Sequence, residues 1–203
     1  MEYIISLKDT GGKKVYVDPG EREGVFLYPG EIKKLRLQEG SRLEAETFEQ
    51  IRKEYAIPRA KKRALGILAK KDRTEKELRD KLKESLHDEY SLEEAMLFVK
   101  SFGYVDDYAY AKDYLYFKKK KKSYLQIRRE LKEKGISGQI LEIVFEEAGT
   151  QELEDIRPHV EKYMKKFSEI DTAALQKTCA YFYRKGYSTE LVREIIDNFI
   201  MAE

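Results

Sequence analysis

Cysteine is nearly absent from this chain of 203 residues, and the single Cys179 leaves no partner for an intrachain disulfide. This fits a reducing compartment, where disulfides are rare. Long apolar runs are also lacking, since no stretch approaches the ~20 residues of a membrane-spanning helix. The first residues do not have the pattern of a secretory signal. The sequence therefore predicts a cytoplasmic protein without a membrane segment, with Cys179 as a small core residue.

Residue sets that carry catalysis or bind metal ions are also missing. His87 and His159, the two histidines, have no His, Cys or acidic partner at ligand spacing, which argues against a metal site or a general base. We find no phosphate-binding glycine loop, Ser-His-Asp set or Cys-His pair. Asp106 and Asp107 could suggest catalytic carboxylates, but they stand at a predicted helix start, where a carboxylate accepts from unpaired N–H groups. We expect no cofactor, no metal ion and no enzymatic activity.

Charge is what the sequence has in abundance. Asp, Glu, Lys and Arg make up 38% of the residues, and hydrophobic residues make up 41%. These proportions are typical of a soluble protein with many exposed helical faces. The net charge of +2 hides one basic region, because residues 108–134 hold 10 basic and 3 acidic side chains. Its centre is a run of five lysines at 118–122, which we call the lysine segment.

A helical pattern recurs along most of the chain with a period of 49 residues. The second helix of each repeat is predicted to begin at Thr74, Ser123 and Thr172, with Thr74 and Ser123 as caps. The predicted caps of the third helix are Ser91, Ser137 and Ser188. The phrases KEKGIS at 132–137 and YRKGYS at 183–188 are nearly the same. Such self-similarity predicts a tandem array of nine helices in three triplets, whose repeats bury their faces against each other.

The first 57 residues have a different pattern. Short β-prone runs at 3–7, 15–17 and 25–28 are separated by glycine and proline, which predicts a small antiparallel sheet, followed by one helix. Ile57-Pro58 marks the boundary, because proline suits a first helical turn and disfavours helix in the residue before it. The predicted fold is mainly α, with three tandem three-helix repeats in an elongated curved array and a small β-containing N-terminal extension. The predicted divisions are 1–57, 58–107, 108–149 and 150–203.

The middle repeat has the clearest helix bounds. Asp106 is predicted to cap its first helix and Ser123 its second. Ile127 and Leu131 lie four residues apart on the buried face of that second helix. Gly135 supplies the left-handed residue that ends it.

The sequences GYVDDYAYA at 103–111 and IRRELKEKGI at 127–136 resemble the RecX family of regulators of the RecA recombinase. RALGILAKKDRTEKELRDKL in the first repeat and RKGYS in the third also match, so the resemblance covers residues 58–201. The motif residues in register include Asp106, Asp107, Tyr110, Ala111, Ile127, Leu131 and Gly135. Lysines replace a glycine that the family usually has before the second helix of the middle repeat, and Ala109 stands at a position that is often basic. The resemblance implies binding in the groove of a RecA filament on single-stranded DNA, which tempers recombination and the SOS response, and it implies no reaction.

The basic region supplies the candidate contacts to a RecA filament or to DNA. They are Tyr114, Lys118, Lys119, Lys120, Lys121, Lys122, Arg128, Arg129 and Lys132. A phosphate backbone or an acidic protein groove would attract the lysine segment, and the aromatic residues beside it could stack on bases. Two alternatives stay open at this point. The lysines can be a solvated helix end that complements the helix dipole, and the aromatic side chains can pack between repeats.

Two functions of different classes fit these observations. The first is a non-enzymatic regulator, expected to be a monomer, that binds the RecA filament and inhibits its recombinase and SOS coprotease activities. Single-stranded DNA would then be touched directly or through the filament. The alternative is a nonspecific nucleic-acid-binding protein that acts through the lysine-rich middle repeat. Tight binding to bare DNA at physiological salt would favour this alternative.

Overall fold

A computed structural model describes residues 1–85, 87–149 and 151–202 of the chain. The chain divides into two compact units, Met1–Asp106 and Asp107–Glu203. The first unit holds the N-terminal extension and the first helical repeat, and the second unit holds the other two repeats. Leu86, predicted to lie on an apolar face, and Thr150, predicted to be part of a joint, fall outside the described residues.

The N-terminal extension forms two small antiparallel sheets. One pairs β1 (Glu2–Ile4) with β5 (Arg42–Glu44). The other has the order β2 (Ser6–Asp9), β3 (Val15–Asp18) and β4 (Val25–Leu27). The helix α1 (Pro29–Leu35) follows β4, and α2 (Ala45–Ile51) follows β5. Phe48 of α2 is fully buried against inward-facing residues of both sheets. The predicted small β region is confirmed, but its strands form two sheets instead of one, and α1 is a second helix where the sequence predicted only one.

Three helix triplets make up the rest of the chain. The first comprises α3 (Ile57–Leu68), α4 (Glu75–Glu84) and α5 (Glu89–Ser101). The second comprises α6 (Asp107–Lys118), α7 (Tyr124–Glu133) and α8 (Gly138–Ala148). The third comprises α9 (Gln151–Met164), α10 (Thr172–Arg184) and α11 (Thr189–Ala202). Each triplet surrounds a hydrophobic core of its own, which confirms the mainly α fold with three-helix repeats. Across the described ranges, no helix is both long enough and apolar enough to cross a membrane.

Side-chain caps determine where several of these helices begin. Ser123 accepts a hydrogen bond from the N–H of Gln126 at 3.3 Å, and the Gln126 side chain accepts from the N–H of Ser123. Thr74, Ser137 and Ser188 each accept from the N–H three residues further on, at 3.2, 3.3 and 3.1 Å. These four predicted caps are confirmed, and each satisfies an N–H group that the helix itself leaves unpaired.

One of the predicted caps is wrong. Asp88, not Ser91, caps α5, because its carboxylate accepts from the N–H of Ser91 at 3.0 Å and Ser91 lies buried within the helix. In the third repeat α10 begins at Thr172, and Asp171 caps it. Aspartate caps a helix about as well as serine and better than threonine, so a nearby carboxylate takes the position in both cases. Asp88 precedes Ser137 by 49 residues, the spacing that separates the caps of α4 and α7.

The helix break predicted at Ile57-Pro58 is absent. α2 continues through a π-helical turn, Arg52–Ala56, directly into α3. The N–H of Ile57 donates to the carbonyl of Arg52, five residues back, and Pro58 is the second residue of α3. Proline cannot donate a backbone hydrogen bond and crowds the preceding turn, and the wider π turn shifts the hydrogen-bond ladder just before it. No loop therefore marks the predicted division at residue 57.

Polar contacts join the N-terminal extension to the first repeat. The buried Arg52 donates to the carbonyl of Glu23 at 2.6 Å and lies 3.6 Å from the carboxylate of Asp88. The Glu23 carboxylate accepts from two N–H groups at the start of α5, at 2.6 and 3.1 Å. Lys14 of the extension donates to the carbonyl of Ser85 at 2.9 Å. The extension thus supplies part of the N-terminal cap of α5.

The second and third repeats meet closely at the start of α7. Glu152 of α9 accepts from the N–H of Tyr124 at 2.7 Å. Gly186, which follows α10, approaches the cap of α7 so closely that a Cβ atom on it would lie 2.7 Å from Ser123 Oγ. The first turn of α7 therefore donates a hydrogen bond to Glu152 and leaves no room for a side chain at Gly186.

Candidate functional site

The lysine segment lies where α6 ends and the chain turns into α7. Lys118 is the last residue of α6, and its carbonyl accepts from the N–H groups of Lys121 and Lys122 at 2.9 and 3.0 Å. Ser123 then caps α7. The lysines thus occupy a helix end, as expected, together with a tight turn that directs their side chains to different sides.

Two lysines of this segment form ion pairs within the protein. Lys119 lies 3.2 Å from Asp155 of α9, and its side chain is only 17% exposed. Lys122 pairs with Glu130 of α7, and this hydrogen bond is the main cause that lowers the pKa of Glu130. Either ammonium group would have to break its pair to reach a phosphate. Lys119 and Lys122 therefore hold the turn against α9 and α7.

The aromatic side chains of α6 divide into a packed set and an exposed set. Tyr114 donates to the Glu130 carboxylate at 2.8 Å, and burial, followed by this hydrogen bond, raises the pKa of Tyr114 to about 12. Tyr110 stacks on Tyr114 with ring centres 6.1 Å apart. Both rings pack against the core of their own repeat. Packing between repeats was the alternative that the sequence had left open. Tyr116 and Phe117, by contrast, are 67% and 72% exposed.

Lys118, Lys120 and Lys121 are the remaining members of the segment. The ammonium group of Lys118 lies 5.6 Å from the ring centre of Tyr114. Lys120 and Lys121 are exposed, and neither forms an ion pair with any residue that the structure describes. Both line a cleft between this turn and the helices α9 and α10. Like Lys118, they can bind an anion without first breaking an ion pair.

The outer side of α7 is a second exposed basic surface. We call its four residues the α7 face: Leu125, Arg128, Arg129 and Lys132. Arg128 and Arg129 lie three and four residues after Leu125 and four and three before Lys132, so the four share one side of the helix, and all are exposed. The fully buried Ile127 and Leu131 fix the opposite side. The Arg128 guanidinium lies 5.8 Å from the ring centre of Phe145. Arg129 and Lys132 form no ion pair within the described part of the chain.

The motif residues behind the family resemblance lie mostly at structural positions. Ala111 is fully buried like the two core residues of α7. Gly135 has φ +92°, as a left-handed residue after the helix requires. Asp107 is the first residue of α6, which leaves Asp106 at the cap position. Across the described ranges, no group of three His, Cys, Asp or Glu side chains is placed to hold a metal ion.

The third repeat brings to the same cleft basic residues that were not predicted from the sequence. Lys162, Lys166 and Lys185 line it together with Lys120 and Lys121. Residues 150–203 hold 8 basic and 10 acidic side chains, so local composition shows no basic excess there. The available signal was the four-residue spacing of Lys162, which lies in α9, and Lys166, which lies just after the end of α9 at Met164.

Family models for RecX match three parts of the chain. The first three-helix domain matches residues 60–96, the second 106–144 and the third 150–196. The regulatory protein RecX of Clostridium beijerinckii is 30% identical over 176 residues, which cover 85% of this chain and 83% of the relative. The regulatory protein RecX of Caldanaerobacter subterraneus subsp. tengcongensis is 32% identical over 169 residues, which cover 80% and 82%.

Solved structures show the same likeness at the level of the fold. A crystal structure of a regulatory protein RecX aligns with a TM-score of 0.63 and 22% identity, over 97% of this chain and 100% of that one. The crystal structure of RecX from Lactobacillus salivarius aligns with a TM-score of 0.66 and 23% identity, over 72% and 97% of the two chains.

Proposed function

The chain belongs to the RecX family of regulatory proteins, and on this premise we propose that it binds the RecA filament on single-stranded DNA and inhibits it. The affected activities are strand exchange and SOS coprotease activity, and the protein itself catalyses no reaction. It acts in the cytoplasm as a monomer. The observation that carries the proposal is the match to regulatory relatives over at least 80% of the chain.

The α7 face is the surface that we propose for the filament contact. Arg129 and Lys132 are exposed and form no ion pair with a described residue, so an acidic groove on a protein filament can bind them without competition. The capped helix that carries them is anchored by Leu131 and Ile127, which fixes their spacing before binding. Such a preformed basic surface speeds association with an acidic partner, most strongly at low salt.

A RecA strand-exchange or ATPase assay on single-stranded DNA tests the proposal. We expect inhibition when this protein is added well below one molecule per RecA protomer, because one bound regulator can cap a filament or block its groove over several protomers. The absence of inhibition at any ratio would contradict the proposal. Inhibition that appears only at ratios high enough to cover the single-stranded DNA would indicate a nonspecific nucleic-acid-binding protein instead.

Paired charge substitutions test the α7 face itself. In the variant R129Q/K132Q we expect weaker inhibition, mainly through slower association at low salt. The matched control K165Q/K177Q removes the same charge from exposed positions of the third repeat and should inhibit like the unmodified protein. If both variants inhibit equally, the α7 face is not the contact surface.

A further inference from the structure

A basic cleft lies between the turn that holds the lysine segment and the helices α9 and α10. Its volume is about 440 Å³, within the range of small-ligand sites. Six of its lining residues are lysines: Lys120, Lys121, Lys122, Lys162, Lys166 and Lys185. Among its lining residues there is no Asp or Glu. We call this site the lysine cleft, and both repeats that form it belong to the same compact unit.

Stacked aromatic rings form one wall of the lysine cleft. Tyr163 and Tyr181 lie nearly parallel, with ring centres 4.4 Å apart. Phe182 meets both rings edge to face. The ammonium group of Lys166 is 5.2 Å from the centre of Tyr163, and that of Lys185 is 4.6 Å from the centre of Tyr181. The two ammonium groups thus lie over the rings of this stack.

The positive charge of the cleft is largely uncompensated. Lys122 has Glu130 as its partner, but the other five lysines form no ion pair with any residue in the ranges described. The nearby carboxylates are already engaged. Asp155 pairs with Lys119, and Glu152 accepts from a backbone N–H group. Ammonium groups gathered in a concave site without counter-charge raise the local potential and attract anions.

We propose that the lysine cleft binds single-stranded nucleic acid, with phosphates on the lysines and one unpaired base against the tyrosine wall. Lysines alongside aromatic rings are the combination that binds a single strand without sequence preference. A double helix keeps its base faces covered by stacking, so it cannot use the tyrosine wall. An acidic peptide without aromatic residues would use the lysines and gain nothing from the rings. The proposal does not depend on binding to RecA.

Salt-dependent fluorescence anisotropy with the full-length protein tests the phosphate contacts. The probe is a fluorescein-labelled oligothymidylate of about 15 nucleotides, long enough to span one site. In K166Q/K185Q, the slope of log K against log salt concentration should shrink by about 1.4, because each lost phosphate contact on a single strand contributes about 0.7. The control K165Q/K177Q lies on the same repeat outside the lining of the cleft and should keep the original slope. Equal slopes in the two variants would overturn the proposal.

One test of the base contact changes the ligand, and a second test changes the protein. An abasic strand of equal length should bind at least about fivefold more weakly than the oligothymidylate, since stacking of one base contributes that much. Tyr181→Leu should reduce this difference, whereas Tyr183→Leu on the exposed side of the same helix should leave it unchanged. Circular dichroism checks that both variants fold, and the ligand comparison needs no variant at all.

Competition with polyglutamate separates the two possible occupants. We expect polyglutamate to displace the oligothymidylate poorly, because it offers no ring to the tyrosine wall. If it binds as tightly as the oligothymidylate, or if the abasic strand does, the cleft is a general anion site and the proposal is wrong. The proposal also fails if no binding to the oligothymidylate occurs at low salt, whether or not the protein inhibits RecA.

Discussion

At the scale of single residues, two leucines of α7 have opposite surroundings. Leu131 is fully buried, and Leu125 is 48% exposed. Leu131→Ala should lower the free energy of unfolding by about 2–5 kcal/mol, because it removes buried methyl groups and leaves a cavity. Leu125→Ala should change it by no more than about 0.5 kcal/mol. Urea denaturation of both variants checks this. Unchanged unfolding of L131A, combined with lost inhibition of RecA, would place Leu131 on the contact surface instead.

Lys14 gives the stability of the protein a specific dependence on pH. Burial, followed by repulsion from Arg59, lowers the pKa of Lys14 to about 8 from its usual 10.5. Between these two values the unfolded chain holds a proton that the folded chain has released. The free energy of unfolding therefore rises with pH between about pH 8 and pH 10.5. Below about pH 8 Lys14 adds no such gain.

The variant K14Q should lack this pH-dependent gain. Urea midpoints measured about one pH unit below and above the pKa of Lys14, in the protein and in the variant, isolate its contribution. Lys13→Gln is the matched control, since Lys13 is exposed. If the midpoint of K14Q rises with pH as steeply as that of the control, Lys14 is not the group that titrates.

Burial could be predicted from the sequence at this scale, whereas side-chain partners could not. The spacing of Ile127 and Leu131 places both on one face of a helix, and both are fully buried. The five lysines look equivalent in the sequence. Only the fold separates Lys119, held by Asp155 at 3.2 Å, from the exposed Lys120. A long side chain can reach partners from distant segments, and the local pattern does not record them.

At the scale of secondary-structure elements, two glycines with positive φ differ in their surroundings. Gly186 has φ +84° and Gly103 has φ +69°. A Cβ atom at Gly186 would lie 2.7 Å from Ser123 Oγ, whereas one at Gly103 would meet open space. Gly103→Ala should cost about 1–2 kcal/mol from the left-handed backbone alone. Gly186→Ala should cost more, because it also displaces the cap of α7. Thermal unfolding of the two variants compares these costs. Equal losses of stability would mean that the Ser123 side chain moves aside without a cost in free energy.

Helix ends followed from the sequence where only one capping side chain was available. Ser123 and Ser137 had no nearby competitor, and both cap as predicted. At two other helix starts Asp88 and Asp171 took the cap position, whereas Thr74 caps α4 although Asp72 lies two residues before it. The π-helical turn Arg52–Ala56 escaped prediction because a shift in the hydrogen-bond ladder leaves no periodic signal over five residues.

At the scale of the whole molecule, the N-terminal extension and the first repeat form one unit. Residues 58–106 produced alone would lose the Glu23 carboxylate that caps α5 and would leave Asp88 without Arg52. We expect this fragment to unfold without a cooperative transition. The fragments 1–106 and 107–203 should each unfold cooperatively, since each corresponds to a compact unit. Thermal circular dichroism of the three fragments checks this, and a cooperative transition in residues 58–106 would show that the first repeat is independent.

The three-repeat organisation of the whole chain was predictable because the pattern recurs. The elongated curved array stays a prediction. The lysine cleft was not predictable, since its lysines come from three separate segments, 120–122, 162–166 and 185, whose proximity depends on tertiary packing.

The junction between the second and third repeats limits how chains of this kind can grow. Duplication could copy a whole repeat, with its core and caps, as a self-contained block. The first turn of α7, however, needs a carboxylate at Glu152 and no side chain at Gly186 in the block that follows it. A copied or transplanted block would have to bring both features, or the cap of the preceding helix would be lost. A repeat can therefore be copied or transplanted intact only together with the residues of its neighbour that contact its helix cap.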